Sequence, residues 1–382
     1  MKIAFVRKTY TPYGGAERYL AQLIGRLCDQ GHEVHVFAHR WESSEASERE
    51  RTPVLHRVPL VKSPSFVEAL SFAFFSKKLL QEESFDIIHS FERTFYQDIY
   101  RAGDGCHREW LIQRGKMDPW VKRWTYRMNP LHSTYLFLEK RLFQSPRLKR
   151  IIANSQRGKE EIIHHYGVPD EKIEVIYNGV DLEAFHPRNV ALFRKALRKE
   201  LKIPQETLAI LFLGSGFRRK GLDRLIASFP RIKKEIPQAV LIVAGKDGIH
   251  RYREMAKSLG VERNILFLGP TQRAKELYAA SDLFVLPTIY DPFSNACLEA
   301  LATGIPVLTT RTNGIAELII DRQNGFLIQD PMNSGEISEK ILAFFASAEK
   351  TPLKEEARKT TLPLDLASVL NRMIHLYEEL KG

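Results

Sequence analysis

At 382 residues the chain exceeds what one hydrophobic core usually serves, so two domains are expected. A composition of 44% hydrophobic and 27% charged residues describes a globular protein with a sizeable core, and the absence of any apolar window of about 18 residues excludes a spanning helix. Three cysteines without a CxxC or Cys/His cluster offer no disulfide frame and no cysteine-based zinc site, and a net charge of +11 points to a polyanionic partner without naming it.

In chain order, the N-terminal MKIAFVRKTY has too short an apolar run for a signal peptide. Ile3–Val6 reads as a buried strand, followed by the loop KTYTPYGGAER and a helix from about Ala16 to Cys28 with Leu20, Leu23, Ile24 and Leu27 on one face. Val34–Phe37 is the second strand, 41–53 an acidic surface loop, Val54–Leu60 a third strand, 66–82 a helix and Asp86–His89 a fourth strand. Ile99–Ala102, Ile151–Ala153 and Glu174–Ile176 follow as further strands. This alternation predicts a parallel sheet with helices on both faces, where ligands sit at the carboxyl ends of the strands.

Asn178–Asp181 and His186-Pro187 read as a hinge, after which the pattern restarts. Strands are expected at 209–213, 240–244, 265–268, 283–286 and 307–309, with helices at 221–235, 250–259, 273–279 and 295–302. In 364–381, Leu366, Val369, Leu370, Met373, Ile374, Tyr377 and Leu380 share a helical face that needs a surface to cover.

Chemistry concentrates in the loops. In YDPFSNACLEALATG, from Tyr290 to Gly304, a strand gives way to a loop and a helix start bracketed by Asp291 and Glu299. A helix start offers unpaired N–H groups and a positive dipole end, which suit a diphosphate or sugar hydroxyls. Equally, Asp291 is a natural loop residue before Pro292 and Glu299 an ordinary helix residue. Gly214-Ser215-Gly216-Phe217-Arg218-Arg219-Lys220-Gly221 joins a glycine loop to three cations, which is phosphate-binding chemistry; its third glycine is displaced from a dinucleotide fingerprint. Gly14-Gly15 opens the first helix, where backbone approaches a ligand or simply turns.

His32, His35 and His39, at spacings of three and four, do not share one strand face, and no metal site is expected of them. His164-His165 suits a helix C-terminus. His107 follows Gly103-Asp104-Gly105 at a strand end, where active-site residues collect, although a structural role serves it equally. From His107 to Arg150 there are eleven Lys/Arg and three acids, with Trp110, Trp120, Trp124 and Tyr126 interleaved. Pro119 and Pro130 break any long helix there. These tryptophans either pack in the N-domain while the cations stay solvated, or dock with Lys122, Arg123 and Arg127 on an anionic membrane surface.

The GG loop, ANSQRGKEEIIHHYGVPDEKIEVIYNGVD at 153–181, GSGFRRKGLD at 214–223 and YDPFSNACLEALATGIPVL at 290–308 together resemble family 4 retaining glycosyltransferases of the GT-B fold. Within that family the chain is most similar to lipopolysaccharide core enzymes of the glucosyltransferase I type. The resemblance implies an α/β chain of two Rossmann-like, doubly wound parallel-sheet domains facing a cleft. These are an acceptor-binding domain at 1–182, a nucleotide-sugar-binding domain at 183–360, and a helix at 361–382 returning to the first.

By position it implies that Arg219 and Lys220, with Gly14 and Gly15, bind the donor diphosphate, and that Glu299 holds the ribose. Asp291 would contact the transferred sugar, helped by Phe293, Ser294 and Asn295. Asp291 stands where the family usually has glutamate, Pro292 and Ser294 replace the usual glycines, and Asp104 or His107 takes the place of a common histidine. The implied reaction is a metal-free, cofactor-free transfer of a hexose with retention, UDP-glucose being the expected donor and a lipid-linked saccharide the acceptor. The enzyme would be cytoplasmic and peripheral on the inner face of the membrane. Two further readings remain, a nucleotide-sugar epimerase or hydrolase and a non-catalytic nucleotide binder. No nucleic-acid module is present to make nucleic acid a partner.

Overall fold

The structure, a computed structural model, describes residues 1–10, 15–41, 52–347 and 350–381. It divides into two compact units, Met1–Gly179 with Ser368–Gly382, and Val180–Ala367.

The first unit is built on a seven-stranded parallel sheet in the order Val54–Arg57, Glu33–Ala38, Lys2–Val6, Ile87–Ser90, Ile99–Arg101, Arg150–Ala153, Ile173–Val175. Ile3 pairs with Val34 on one side and Ile87 on the other, and Ile3 to Val6 are completely buried. Such an uninterrupted apolar run is what a strand covered on both faces requires. The order reverses direction between Lys2–Val6 and Ile87–Ser90, which makes their carboxyl ends the switch point of this sheet. Beyond it, Thr9–Tyr10 pairs with Arg40–Trp41, and the Tyr10 ring stacks on Trp41 at 3.8 Å. This extension is too short for periodicity to register.

The stretch after Ile99–Arg101 forms three helices, His107–Met117, Trp120–Met128 and Pro130–Phe143. The prolines begin helices rather than interrupt them: Pro119 precedes the second, and Pro130 is at the first turn of the third, where Asn129 caps the Leu131 N–H. Helix Gln156–Tyr166 starts with Ser155 accepting from the Gly158 N–H at 3.0 Å and stops at Gly167, whose φ of 63° is left-handed. The last helix, Leu366–Lys381, buries Val369, Leu370, Met373, Ile374 and Tyr377. Within the first unit, Arg372 pairs with Glu174 at 3.0 Å, and the Tyr377 hydroxyl meets His89 Nδ1 at 2.5 Å.

The second unit has a six-stranded parallel sheet ordered Ile265–Gly269, Val240–Ala244, Ala209–Leu213, Leu283–Leu286, Val307–Thr310, Gly325–Ile328. Helices Arg188–Glu200, Ser334–Ala346 and Lys350–Thr361 and the edge strand Gly325–Ile328 add to the elements expected from sequence. Arg188–Glu200 turns Val190, Phe193 and Leu197 inward together with two arginines. It is also held by Arg198, fully buried, which donates to the carbonyls of Ala280, Pro204, Gln205 and Thr207 and to the Asp282 carboxylate at 2.7–3.0 Å. A planar fork of donors meets these inward-facing carbonyls in a way an ammonium cannot.

Candidate active site

The second sheet reverses direction between Ala209–Leu213 and Leu283–Leu286, and the loops leaving the carboxyl ends of these neighbouring strands are the two that carry the sequence motifs. The first turns through Gly214 and Gly216 into a single helical turn, Phe217–Lys220, pinned where the Phe217 N–H donates to Asp247 at 2.7 Å. Gly221 ends that turn at φ 86°, and a Cβ there would overlap the Pro287 carbonyl, so only glycine lets the two loops approach this closely.

That approach assembles a compact ionic cluster. Asp291 is 5% exposed and is paired by Lys220 Nζ, with Arg219 Nη1 at 3.5 Å from the same Oδ2. Arg219 also donates to the Tyr290 carbonyl at 2.9 Å. Burial alone would raise the Asp291 pKa, but the Lys220 and Arg219 charges and the Phe293 N–H hold it below the ordinary carboxylate value. The loop is fixed from the next strand: Asp291 N–H donates to the Thr312 carbonyl at 3.2 Å and the Asp291 carbonyl accepts from Gly314 N–H at 2.8 Å. Ser294 caps helix Asn295–Ala302 by accepting from the Cys297 N–H. Glu299, one and a half turns on, receives the Tyr278 hydroxyl at 3.0 Å.

The structure therefore joins Arg219, Lys220 and Asp291 directly, while the sequence reading gave the cations to a diphosphate and the acid to a sugar. Asn313 was not singled out by sequence. It is 1% exposed, accepts from Ser294 N–H at 3.3 Å and donates to Thr309 at 3.0 Å. A lone Asn among TTRTNG resembles any turn residue, so only the folded loop shows its role as a brace.

In the first unit, Asp104 is exposed in the turn after Ile99–Arg101, beside Gly105 at φ 72°. His107 begins the following helix, and its ring Nε2 lies 3.1 Å from His132 Nδ1. Burial, then the Arg93 charge, pushes its pKa down to about 3, so the ring is neutral and engaged with His132. Organising this turn is Glu139, 1% exposed, which accepts from His107 N–H at 2.6 Å, Arg93 Nε at 2.9 Å and the Tyr166 hydroxyl at 2.6 Å. Gly14 lies outside the described residues, and Gly15 is the first residue of helix Gly15–Asp29.

Residues 13–184 match the family described as Glycosyltransferase Family 4, and residues 193–360 match Glycosyl transferases group 1. The chain is a glycosyltransferase, with family models of that activity matching both halves of its length. It is 25% identical over 97% of its length, and 96% of the relative's, to the lipopolysaccharide glucosyltransferase WaaG of Escherichia coli strain K12. An uncharacterised glycosyltransferase of Methanocaldococcus jannaschii is 29% identical over 88% of this chain and 87% of its own. The WaaG crystal structure superposes with a TM-score of 0.85 at 24% identity, covering 98% of this chain and 99% of that one, which shows the GT-B fold. Anabaena HepE, solved with UDP and glucose, superposes at 0.74 and 21% identity over 99% of each chain.

This glycosyltransferase carries a further feature at Trp120–Met128, a helix with no buried residue. Trp120, Val121, Trp124 and Met128 are 71%, 59%, 61% and 82% exposed, and their spacing puts them on one face. The two tryptophans therefore do not pack into the first unit; Trp110, in the preceding helix, is half-buried. Arg127 lies over the Trp124 ring at 6.0 Å, and buried Asp118 anchors the helix through Tyr126 and through Lys122 at 3.4 Å. Among the described residues no helix is long and apolar enough to cross a membrane.

Proposed function

We propose that the protein transfers a hexose, glucose from UDP-glucose, with retention of configuration to a lipid-linked saccharide such as the lipopolysaccharide core. The observation that carries this reading is the cluster of Asp291, Lys220 and Arg219 at the switch point, with Glu299 on the adjoining helix. Similarity to WaaG, named for glucosyl transfer to lipopolysaccharide, and a fold shared with HepE, solved with UDP and glucose, support the donor and acceptor classes.

In this reading the donor diphosphate draws Lys220 and Arg219 partly away from Asp291. Glu299 accepts from the ribose hydroxyls. The freed edge of Asp291, with the loop at Phe293, Ser294 and Asn295, orients the sugar. The bond from the anomeric carbon to the diphosphate oxygen breaks as the acceptor hydroxyl bonds to the same face of that carbon. The hydroxyl proton passes to a phosphate oxygen, and the two cations stabilise the leaving diphosphate. Of Asp104 and His107, Asp104 is the exposed carboxylate and the candidate to meet an acceptor hydroxyl, the His107 ring being engaged with His132.

Incubated with UDP-glucose, the protein should release UDP only when a core saccharide acceptor is present. It should do so at the same rate in excess chelator as in magnesium. Release without acceptor would instead establish a hydrolase or epimerase, and a loss in chelator restored by magnesium would overturn the metal-free mechanism.

The exposed face of Trp120–Met128 suits the inner surface of the cytoplasmic membrane. Its rings sit at headgroup level, and Arg123 and Arg127, flanking that face, each contribute about 1 kcal/mol against anionic lipid, with Lys122 adding to the positive field from its pair with Asp118. Vesicle flotation should show binding that requires anionic lipid, weakens as salt rises, and falls when Lys122 and Arg123 become glutamate. Equal binding to neutral vesicles would refute docking of this kind.

A further inference from the structure

In the first unit, towards the end of the sheet opposite its ligand-facing loops, strands Glu33–Ala38 and Val54–Arg57 run parallel with Phe37 opposite His56. Residues 33, 35 and 37 share one strand face. His56 lies on it too, its ring stacked on Phe37 at 4.3 Å. The imidazoles of His35 and His56 meet there, with His35 Nδ1 2.7 Å from His56 Nε2. Glu33 Oε1 sits 2.8 Å from the other nitrogen of His35. Glu83, in the turn before Ile87–Ser90, brings a carboxylate up to the pair, so that one donor atom each from His35, His56 and Glu83 lie within 4.8 Å of one another. Phe85 backs the group edge-on to His35 at 5.1 Å, and Lys2 Nζ bridges Glu33 at 3.2 Å and Glu83 at 2.9 Å.

We propose that His35, His56 and Glu83 bind a divalent ion of the zinc class, with Glu33 holding His35 in orientation from behind. Two imidazole nitrogens and a carboxylate oxygen suit zinc, cobalt or nickel, and do not suit magnesium or calcium, which take oxygen. Glu33 draws the His35 proton to Nε2, which leaves the Nδ1 lone pair facing His56, the arrangement in which a carboxylate fixes a metal-binding tautomer. His56 reaches the ion through Nε2 by carrying its own proton on Nδ1. Burial and the neighbouring His35 lower the His56 pKa, so it is neutral, as a ligand has to be. Ring nitrogens on one tetrahedral zinc sit roughly 3.3 Å apart, for Zn–N of about 2.0–2.1 Å. The pair therefore opens by about 0.6 Å from its 2.7 Å separation. His56 allows this because it belongs to the edge strand and is half-buried.

Such an ion ties the edge strand, where Val54 and Leu55 are 47% and 50% exposed, to the second strand and to the turn at Glu83. Its role is structural, within the first unit. The sequence grouped His35 with His32 and His39, whereas strand pairing groups it with His56.

Cobalt is the probe, added to untagged full-length protein. Titration should give visible d–d absorption bands saturating at one ion per chain, displaced by zinc, and zinc should raise the melting temperature. His56→Gln should abolish the bands. Glu33→Gln should weaken binding about 10- to 100-fold, and the exposed Glu83→Gln should weaken it without disturbing the core. His32→Gln removes a ring whose Nδ1 lies 3.1 Å from the Met1 amino group, and it should leave the titration unchanged. No bands in the parent protein, a parental titration in both His56→Gln and Glu83→Gln, or loss in His32→Gln would each overturn the site.

Discussion

Asp291→Asn is expected to leave UDP binding intact while turnover collapses, and Glu299→Gln to weaken even free UDP. The two carboxylates bracket one loop, but their surroundings separate their tasks. Asp291 is buried against two cations, so its amide analogue keeps the packing and releases Lys220 and Arg219 to the diphosphate. UDP affinity should therefore hold or rise. The sugar loses its anionic partner in the transition state, and electrostatic contacts of that kind are worth roughly 100- to 1,000-fold in rate. Glu299 has the Tyr278 hydroxyl on one oxygen, which orients the carboxylate on the helix. Loss of a charge-assisted contact to ribose costs about 1.5–3 kcal/mol, a fall of about tenfold or more in affinity. Calorimetry with UDP beside steady-state turnover reads both variants, and the reverse pattern would show the site to be oriented the other way round.

Most strands were legible because a parallel sheet buried on both faces demands uninterrupted apolar runs, and LFVL at 283–286 or VLIVA at 240–244 permit little else. The loop motifs were legible for a related reason: glycines and cations at the carboxyl ends of adjacent strands are sequence-local. What escaped depends on distant partners or on polar burial. Arg188–Glu200, just after the expected hinge, escapes because its anchor is Arg198, and a buried guanidinium is indistinguishable in sequence from a solvated one. Strand Gly325–Ile328 and helices Ser334–Ala346 and Lys350–Thr361 carry no glycine–cation motif to mark them. In the site, the pairing of Lys220 with Asp291 spans 71 residues and no spacing rule reaches that far. For His107 the sequence leaves a site role and a structural role equally open, because its partner His132 lies 25 residues on, in a separate helix.

That same pairing makes Lys220→Ala the more revealing substitution, with two effects that separate by pH and by ligand. For donor binding, one charge-assisted contact to the diphosphate is lost, about 1.5–3 kcal/mol, so nucleotide-sugar affinity should fall about tenfold or more. For stability, the variant leaves a buried carboxylate with Arg219 as its remaining cation, and breaking a buried pair on one side costs about 3–5 kcal/mol. The sign of its pH dependence follows from Asp291. In the parent the folded-state pKa lies below the ordinary value, so the pair stabilises the fold at neutral pH, and that contribution is lost as pH falls through the depressed pKa. In the variant burial dominates and the pKa rises, so the carboxylate destabilises the fold at neutral pH and protonation on acidification relieves the penalty. The gap in melting temperature between parent and Lys220→Ala should thus be widest near neutrality and close as pH drops towards the carboxylate range. Lys220→Met, which fills the same space without charge, should show the same trend. A gap independent of pH would mean that Lys220 stabilises by packing alone. Unchanged donor affinity in a folded variant would remove it from the diphosphate site.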